Sequence, residues 1–193
     1  MSSYNEKFFL AHKLRYEVWQ VKFAEYLQSK YNFSSVFDFG CGIGSYLLGF
    51  YQSGVTDVGG LDISLDQSQG YIDDKVKKFI FQYDATVPLD MKRKYDCVMS
   101  TEAAEHIRPE GTDVFLDNIT RHIDRYLIFT AAVPGQKGTG HINMHPPDFW
   151  IKEIEQRGYT FLQQDQEEVR RKLMRIQRRT PFLRNLMIYR KML

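Results

Sequence analysis

The chain reads as an α/β domain with a mostly parallel sheet. Three observations carry this. Short apolar runs rich in Val, Ile, Phe and Tyr recur from residue 35 onward, separated by polar and helical stretches, and strands that alternate with helices favour a parallel sheet. The first of these runs leads directly into a glycine-rich turn and then a helix, at Asp38-Phe-Gly-Cys-Gly-Ile-Gly44. The 193 residues, 43% hydrophobic and 26% charged, suit a single domain over 1–193 with one core.

The elements follow in order. Phe8, His12, Tyr16, Trp19, Phe23 and Tyr26 recur at spacings of three and four, which predicts a helix over 8–29 within an N-terminal helical cap, residues 1–30. That stripe reads first as core packing. Buried strands are predicted at Ser35–Phe39, Asp57–Asp62, Phe79–Tyr83, Tyr95–Ser100 and Arg125–Ala132. Helices are predicted at Gly44–Tyr51, at Gly111–His122 and at Pro147–Gly158, where Gly158 is a stop signal. Tyr159–Gln163 and Asn185–Tyr189 complete the strands. The stretch 134–147, with Gly135, Gly138, Gly140, His141 and His145, is the longest loop, and a long loop after a sheet strand is commonly functional.

Composition excludes some classes and leaves others open. No apolar run reaches the roughly 20 residues of a membrane-spanning helix, and Met1 to Lys7 is polar, unlike a signal peptide. Cys41 and Cys97 both lie in apolar, strand-like contexts, so reduced thiols and a cytoplasmic location are expected. The net charge of +2 hides an asymmetry. The segment 166–193, a basic helix and final strand, holds nine Lys or Arg against two acids, +7, which leaves −5 for the rest. A solvated helix face is the first reading. A phosphate-binding surface is the alternative.

The turn at Asp38–Gly44 carries the chemistry. Its glycines let the backbone turn tightly and let a ligand approach the main chain. Nicotinamide-dependent dehydrogenases use G-x-G-x-x-G at such a place, but here Gly40, Gly42 and Gly44 are spaced G-x-G-x-G, and Asp38 precedes them. A carboxylate there suits a cationic amine, directly or through water. Asp62 ends the second strand, where an acid can accept from ribose hydroxyls. Ile63 follows it, placed to lie against an adenine face, and Asp84-Ala85 lies just past the third strand, where an acceptor can meet the adenine amino group.

Asp38 to Gly44, Leu61-Asp62, Asp84-Ala85 and Tyr95-Asp-Cys-Val-Met-Ser-Thr-Glu-Ala-Ala-Glu-His-Ile107 resemble the ordered motifs of class I S-adenosylmethionine (SAM)-dependent methyltransferases. The Glu102-Ala-Ala-Glu105-His106 stretch is similar in style to the ubiquinone-biosynthesis O-methyltransferase type. The resemblance implies a Rossmann-like fold: a seven-stranded, mostly parallel sheet with the last strand antiparallel and helices on both faces. It implies SAM as cofactor, with Asp38, Gly40 and Gly42 around the methionine part, Asp62 on the ribose, and Asp84 and Ala85 near the adenine. Thr101 and Glu102 would line the cofactor pocket.

Methyl transfer from a sulfonium is an in-line displacement, so positioning supplies much of the effect. A hydroxyl acceptor also needs a base, and histidine suits it. His106, after the fourth strand, and His141, in the loop 134–147, are the two candidates; a structural role is the alternative for each. His145 and Asn143 are weaker candidates. No zinc-ligand spacing is visible, so no metal is expected. The sequence also lacks an Asn/Asp-Pro-Pro-Tyr/Phe motif and a Pro-Cys pair of the kinds used in base methylation of nucleic acids. The expected activity is therefore methylation of an oxygen, less readily a nitrogen, of a small molecule such as a sugar or aromatic metabolite. The alternatives are an RNA methyltransferase using Arg171, Arg175 and Arg178, a catalytically idle SAM-binding module, and a nicotinamide oxidoreductase.

Overall fold

The computed structural model describes residues 6–175 and 181–192. Seven strands form the mostly parallel sheet that the motif resemblance implies, with the last strand antiparallel. The chain packs as two compact units, Met1–Ala85 and Thr86–Leu193. Among the described residues, no helix is long and apolar enough to cross a membrane.

The first unit comprises α1 (Glu6–Tyr31), β1 (Ser35–Phe39), α2 (Ser45–Gln52), β2 (Asp57–Asp62), two short helices α3 (Leu65–Ser68) and α4 (Asp74–Lys77), and β3 (Ile80–Gln82). Its strands lie in the order β3-β2-β1, all parallel. Every residue of β1 is buried, as expected for a parallel strand covered on both faces. The α1 stripe is core only in part. Trp19 and Phe23 are buried, Tyr16 is half-buried and Phe8 is exposed, while Phe9, outside the predicted stripe, is buried. Close approach of α1 to α2 depends on Gly49: a Cβ there would stand 2.7 Å from both the Ala24 Cβ and the Val21 carbonyl oxygen. The helix predicted from Gly44 begins one residue later, because Gly44 sits at φ +72° as its N-cap.

The second unit comprises β4 (Tyr95–Thr101), α5 (Thr112–Arg121), β5 (Ile123–Thr130), α6 (Pro147–Glu155), β6 (Tyr159–Phe161), α7 (Gln163–Met174), α8 (Pro181–Arg184) and β7 (Met187–Lys191). β5 runs parallel to β4, and β7 lies antiparallel between β5 and β6. The final strand starts two residues later than its apolar pattern suggests, because Asn185 closes a turn on the Phe182 carbonyl. β6 ends two residues early: Leu162 still bonds Ile188, but Gln163 already opens α7. α7 buries Val169 and Leu173 and exposes Arg171 and Arg175; Arg178 lies outside the described residues.

Candidate functional site

In the first unit, the end of β1 turns sharply over the end of β2. Gly40, Gly42 and Gly44 hold φ of +80°, +55° and +72°, a left-handed region that non-glycine residues enter only at a cost. The turn is tied down by four bonds. The N–H groups of Gly40 and Cys41 both donate to the Leu61 carbonyl, at 2.9 and 3.0 Å, and Gly44 donates to Cys41 at 2.9 Å. The fourth comes from Gly42, whose N–H donates to Asp62 Oδ2 at 2.8 Å. Asp62 Oδ1 accepts from Ser64 N–H at 2.7 Å. Asp62 thus braces the turn, and each carboxylate oxygen keeps a further lone pair. Beside it, Ile63 is 60% exposed, a large apolar side chain left uncovered. Ala85 is buried and Asp84 half-buried just past β3.

Asp38 is the anomaly of this unit. It is 0% exposed, and neither of its carboxylate oxygens has a hydrogen-bond partner. Burial, and secondarily the Asp62 charge, push its carboxyl up to about 7. A buried uncompensated carboxylate is costly, and a cationic group placed against it removes the cost. Burial, and secondarily the Asp62 and Asp38 charges, push the Cys41 thiol well up from its ordinary value, which favours the thiol over the thiolate.

In the second unit, β4 ends at buried Thr101, and Glu102 takes φ +52°. A non-glycine residue in that region stores about 1–3 kcal/mol, and such residues cluster at functional sites. Two bonds hold it, from Glu102 N–H to the Thr130 carbonyl at 3.1 Å and to Thr130 Oγ1 at 2.9 Å. A short 3₁₀ turn, Ala104–His106, then buries the Glu105 side chain completely.

The loop predicted over 134–147 docks on this turn. The N–H groups of Ile142 and Asn143 both donate to the Glu105 carbonyl, at 2.9 and 3.1 Å. Asn143 Nδ2 donates to Thr112 Oγ1 at 2.9 Å, and its Oδ1 faces His145 Nε2 at 2.9 Å. His145 stacks on Phe149 with ring centroids 3.8 Å apart. The loop thereby brings His141 to His106, with ring centroids 5.1 Å apart, and His141 Nε2 to 3.9 Å from Glu105 Oε1. Space for this ring exists because residue 138 is glycine: a Cβ there would overlap the His141 imidazole.

The electrostatics of this cluster are those of carboxylates short of counter-charge. Burial first, and then the neighbouring Glu102, push Glu105 up to about 8. Burial also raises Glu102, opposed by bonds including one from Gln136, whose Nε2 donates to Glu102 Oε2 at 3.0 Å. Asn185 Nδ2 holds the Gln136 oxygen at 2.8 Å. Desolvation lowers the proton affinity of His106.

The cofactor residues expected from sequence fall in two groups. Asp38, Gly40, Gly42, Gly44, Asp62, Ile63, Asp84 and Ala85 lie at the strand ends of the first unit, and Thr101, Glu102, His106 and His141 lie in the second. Sequence reasoning missed Gln136, which no local motif marks, and the depth at which Glu105 is buried. His122 is structural: Nε2 accepts from Met91 N–H at 3.0 Å while Nδ1 faces the Asn118 carbonyl at 2.6 Å.

A left-handed glycine turn braced by Asp62 and a fully buried, unpartnered Asp38 mark the strand ends of the first unit, and a polar cluster follows β4 in the second. The family model described as methyltransferase domain matches residues 10–129. The chain belongs to this family and is a class I SAM-dependent methyltransferase. No curated protein matches it. Among solved structures, it shares the fold of magnesium protoporphyrin IX methyltransferase from Synechocystis, solved with S-adenosylhomocysteine (SAH). That match has a TM-score of 0.66 at 17% identity, covering 99% of this chain and 90% of the other. A sugar N-methyltransferase from Streptoalloteichus superposes with a TM-score of 0.71 at 12% identity, over 100% and 97% of the chains. A SAM-bound amino pentose methyltransferase from Micromonospora echinaspora gives 0.69 at 11% identity, over 99% of each.

Proposed function

We propose that the protein transfers the methyl group of SAM to an oxygen, or failing that a nitrogen, of a small molecule. The observation that carries the cofactor half is Asp38, a fully buried carboxylate with no partner, which fits the cationic methionine end of SAM. Asp62 keeps acceptor capacity for ribose hydroxyls while bracing Gly42 and Ser64. Ile63 offers an uncovered apolar face for the adenine, with Asp84 and Ala85 near that ring in this reading. When bound, SAM supplies an activated methyl on a sulfonium.

The chain's own residues position and deprotonate. Thr101 and Glu102 border the cofactor where β4 ends. An acceptor proton has somewhere to go: His106 and His141 lie side by side with Glu105 next to them, and proton transfer to a positioned side chain contributes about 10²- to 10⁴-fold in rate. The chain 1–193 acts as one domain in this reading. A small acceptor is supported by the company the fold keeps, enzymes named for porphyrin and amino-sugar substrates.

The test is radiolabelled methyl transfer from SAM to panels of amino sugars, aromatic hydroxyl compounds and RNA, with the wild type and a variant in which Arg171, Arg175 and Arg178 are Gln. Label is expected in a small molecule, equally with both proteins. Label in RNA that is salt-sensitive and vanishes in the triple variant would replace this reading with RNA methylation.

A further inference from the structure

The second unit also holds a cavity of about 270 Å³, walled by residues of α6, β6, α7, α8 and β7. We propose that this cavity is a subsite for the methyl acceptor and takes a carboxylate carried on an apolar body of about one ring. This deepens the small-molecule methyltransferase reading and rests on it.

Four features point to it. First, the lining is of two kinds, as in small-ligand sites generally: an apolar surface with a few polar groups. Leu186 and Met187, both buried, and Ile151 and Phe161, both half-buried, supply the apolar part. The volume falls just under the roughly 300–1,000 Å³ of drug-sized ligand sites, which suits a single ring better than a polycyclic body.

Second, the cationic groups in the lining lack counter-charges. Arg170 belongs to α7 and Arg184 ends α8. Neither guanidinium has an ion-pair partner among the described residues. Arg125, by contrast, pairs with Asp96, and Arg157 with Asp113, Asp117 and Glu153. A guanidinium presents a planar fork of donors that matches the two oxygens of a carboxylate.

Third, the charge fits a monoanion. Gln163, Gln166, Glu167 and Arg170 line the cavity at spacings i, i+3, i+4 and i+7, one face of α7. Glu167 Oε1 accepts from Gln163 Nε2 at 2.9 Å. Two arginines against this one glutamate leave a single positive charge. That balances a carboxylate, whereas a phosphate monoester carries about −1.5 to −2 at pH 7.

Fourth, the cavity is joined to the polar cluster after β4. Asn185 lines it, and Asn185 Nδ2 donates to Gln136 Oε1 at 2.8 Å. Gln136 Nε2 in turn donates to Glu102 Oε2 at 3.0 Å. Pro147, also in the lining, opens α6 directly after the loop that carries His141. An acceptor held here by its carboxylate is fixed on the same framework as the residues assigned to its proton, and an in-line displacement depends on such fixing.

The experiment is calorimetric titration of the full chain, saturated with SAH, with a panel of hydroxybenzoates and hydroxyphenylacetates and with their neutral amides. At least one carboxylate is expected to bind roughly tenfold or more tightly than its amide, as a hydrogen bond to a charged group provides. The Arg170→Gln, Arg184→Gln double variant should lose that preference. Its SAH affinity and thermal midpoint should not fall, because neither arginine has an ion pair to lose. Arg170→Lys keeps the charge but not the fork and should retain part of the preference, an order that a merely structural arginine would not produce. Carboxylates bound no better than amides overturn the proposal, and so does a preference that survives in the double variant. Phenyl phosphate bound more tightly than every carboxylate also overturns it. Radiolabelled methyl transfer from SAM separates the subsite from the reading beneath it. Carboxylate preference with label passing only to RNA would sink the small-molecule reading alone. Label passing to neutral small molecules, with no carboxylate preference in binding, would sink only the subsite.

Discussion

Asp38→Asn separates what the buried carboxylate costs from what it does. The carboxyl moves from its ordinary 3.8 to about 7 in the folded protein without cofactor. Because the folded value lies above the unfolded one, the group favours folding below about pH 4, and that contribution is lost as pH rises through 7. Ionising it costs about 4 kcal/mol by pH 8, of which about 3 kcal/mol accrues between pH 5 and 8. Asparagine carries no charge but buries an amide whose unmade hydrogen bonds cost about 1–3 kcal/mol. The variant without SAM should therefore be more stable than wild type at pH 8 by about 1–3 kcal/mol, a rise of several degrees in Tm for a chain of this length. At pH 5 that advantage should vanish.

Cofactor binding should move the other way. SAM needs the ionised carboxylate, so wild-type affinity should tighten roughly fiftyfold from pH 5 to pH 7 as a group titrating near 7 loses its proton. The variant should bind ten- to a hundredfold more weakly at pH 7, the value of a hydrogen bond to a charged group, and should show little pH dependence. Calorimetric unfolding and SAM titration at pH 5, 7 and 8 measure both. An Asn variant less stable than wild type at pH 8, or one that binds SAM undiminished, would refute the assignment of Asp38 to the cofactor's cationic end.

Asp62→Ala removes the acceptor for Gly42 and Ser64 as well as for a ribose, so SAM affinity should fall at least tenfold, at about 1.5–3 kcal/mol per charged hydrogen bond; unchanged affinity in a fluorescence titration would be the contrary result. Gly49→Ala should destabilise by about 1–2 kcal/mol, because a clash with Ala24 and the Val21 backbone outweighs the roughly 1 kcal/mol that Ala gains in a helix. A urea midpoint that rises instead of falling would show that α1 and α2 are less tightly apposed.

Much of the fold was legible locally. The Ser35–Phe39 and Asp57–Asp62 strands fall where the sequence places them, because a strand buried on both faces is built mainly from apolar and small residues and is bounded by turn residues. The G-x-G-x-G spacing likewise anticipates three left-handed positions, since few other residues adopt them cheaply. The acids at successive strand ends were equally visible, because a parallel sheet presents all its carboxyl ends along one edge. What the sequence could not say is which partner each side chain would meet. Nothing local distinguishes Asp38, stripped of partners, from Asp62, which holds two backbone N–H groups; burial and long-range bonds decide that. His106 and His141, 35 residues apart, likewise share no local pattern. Only the docking of the 134–147 loop on the Glu105 carbonyl brings His141 beside His106 and Glu105, and such contacts depend on tertiary packing, not on the periodicity of the chain.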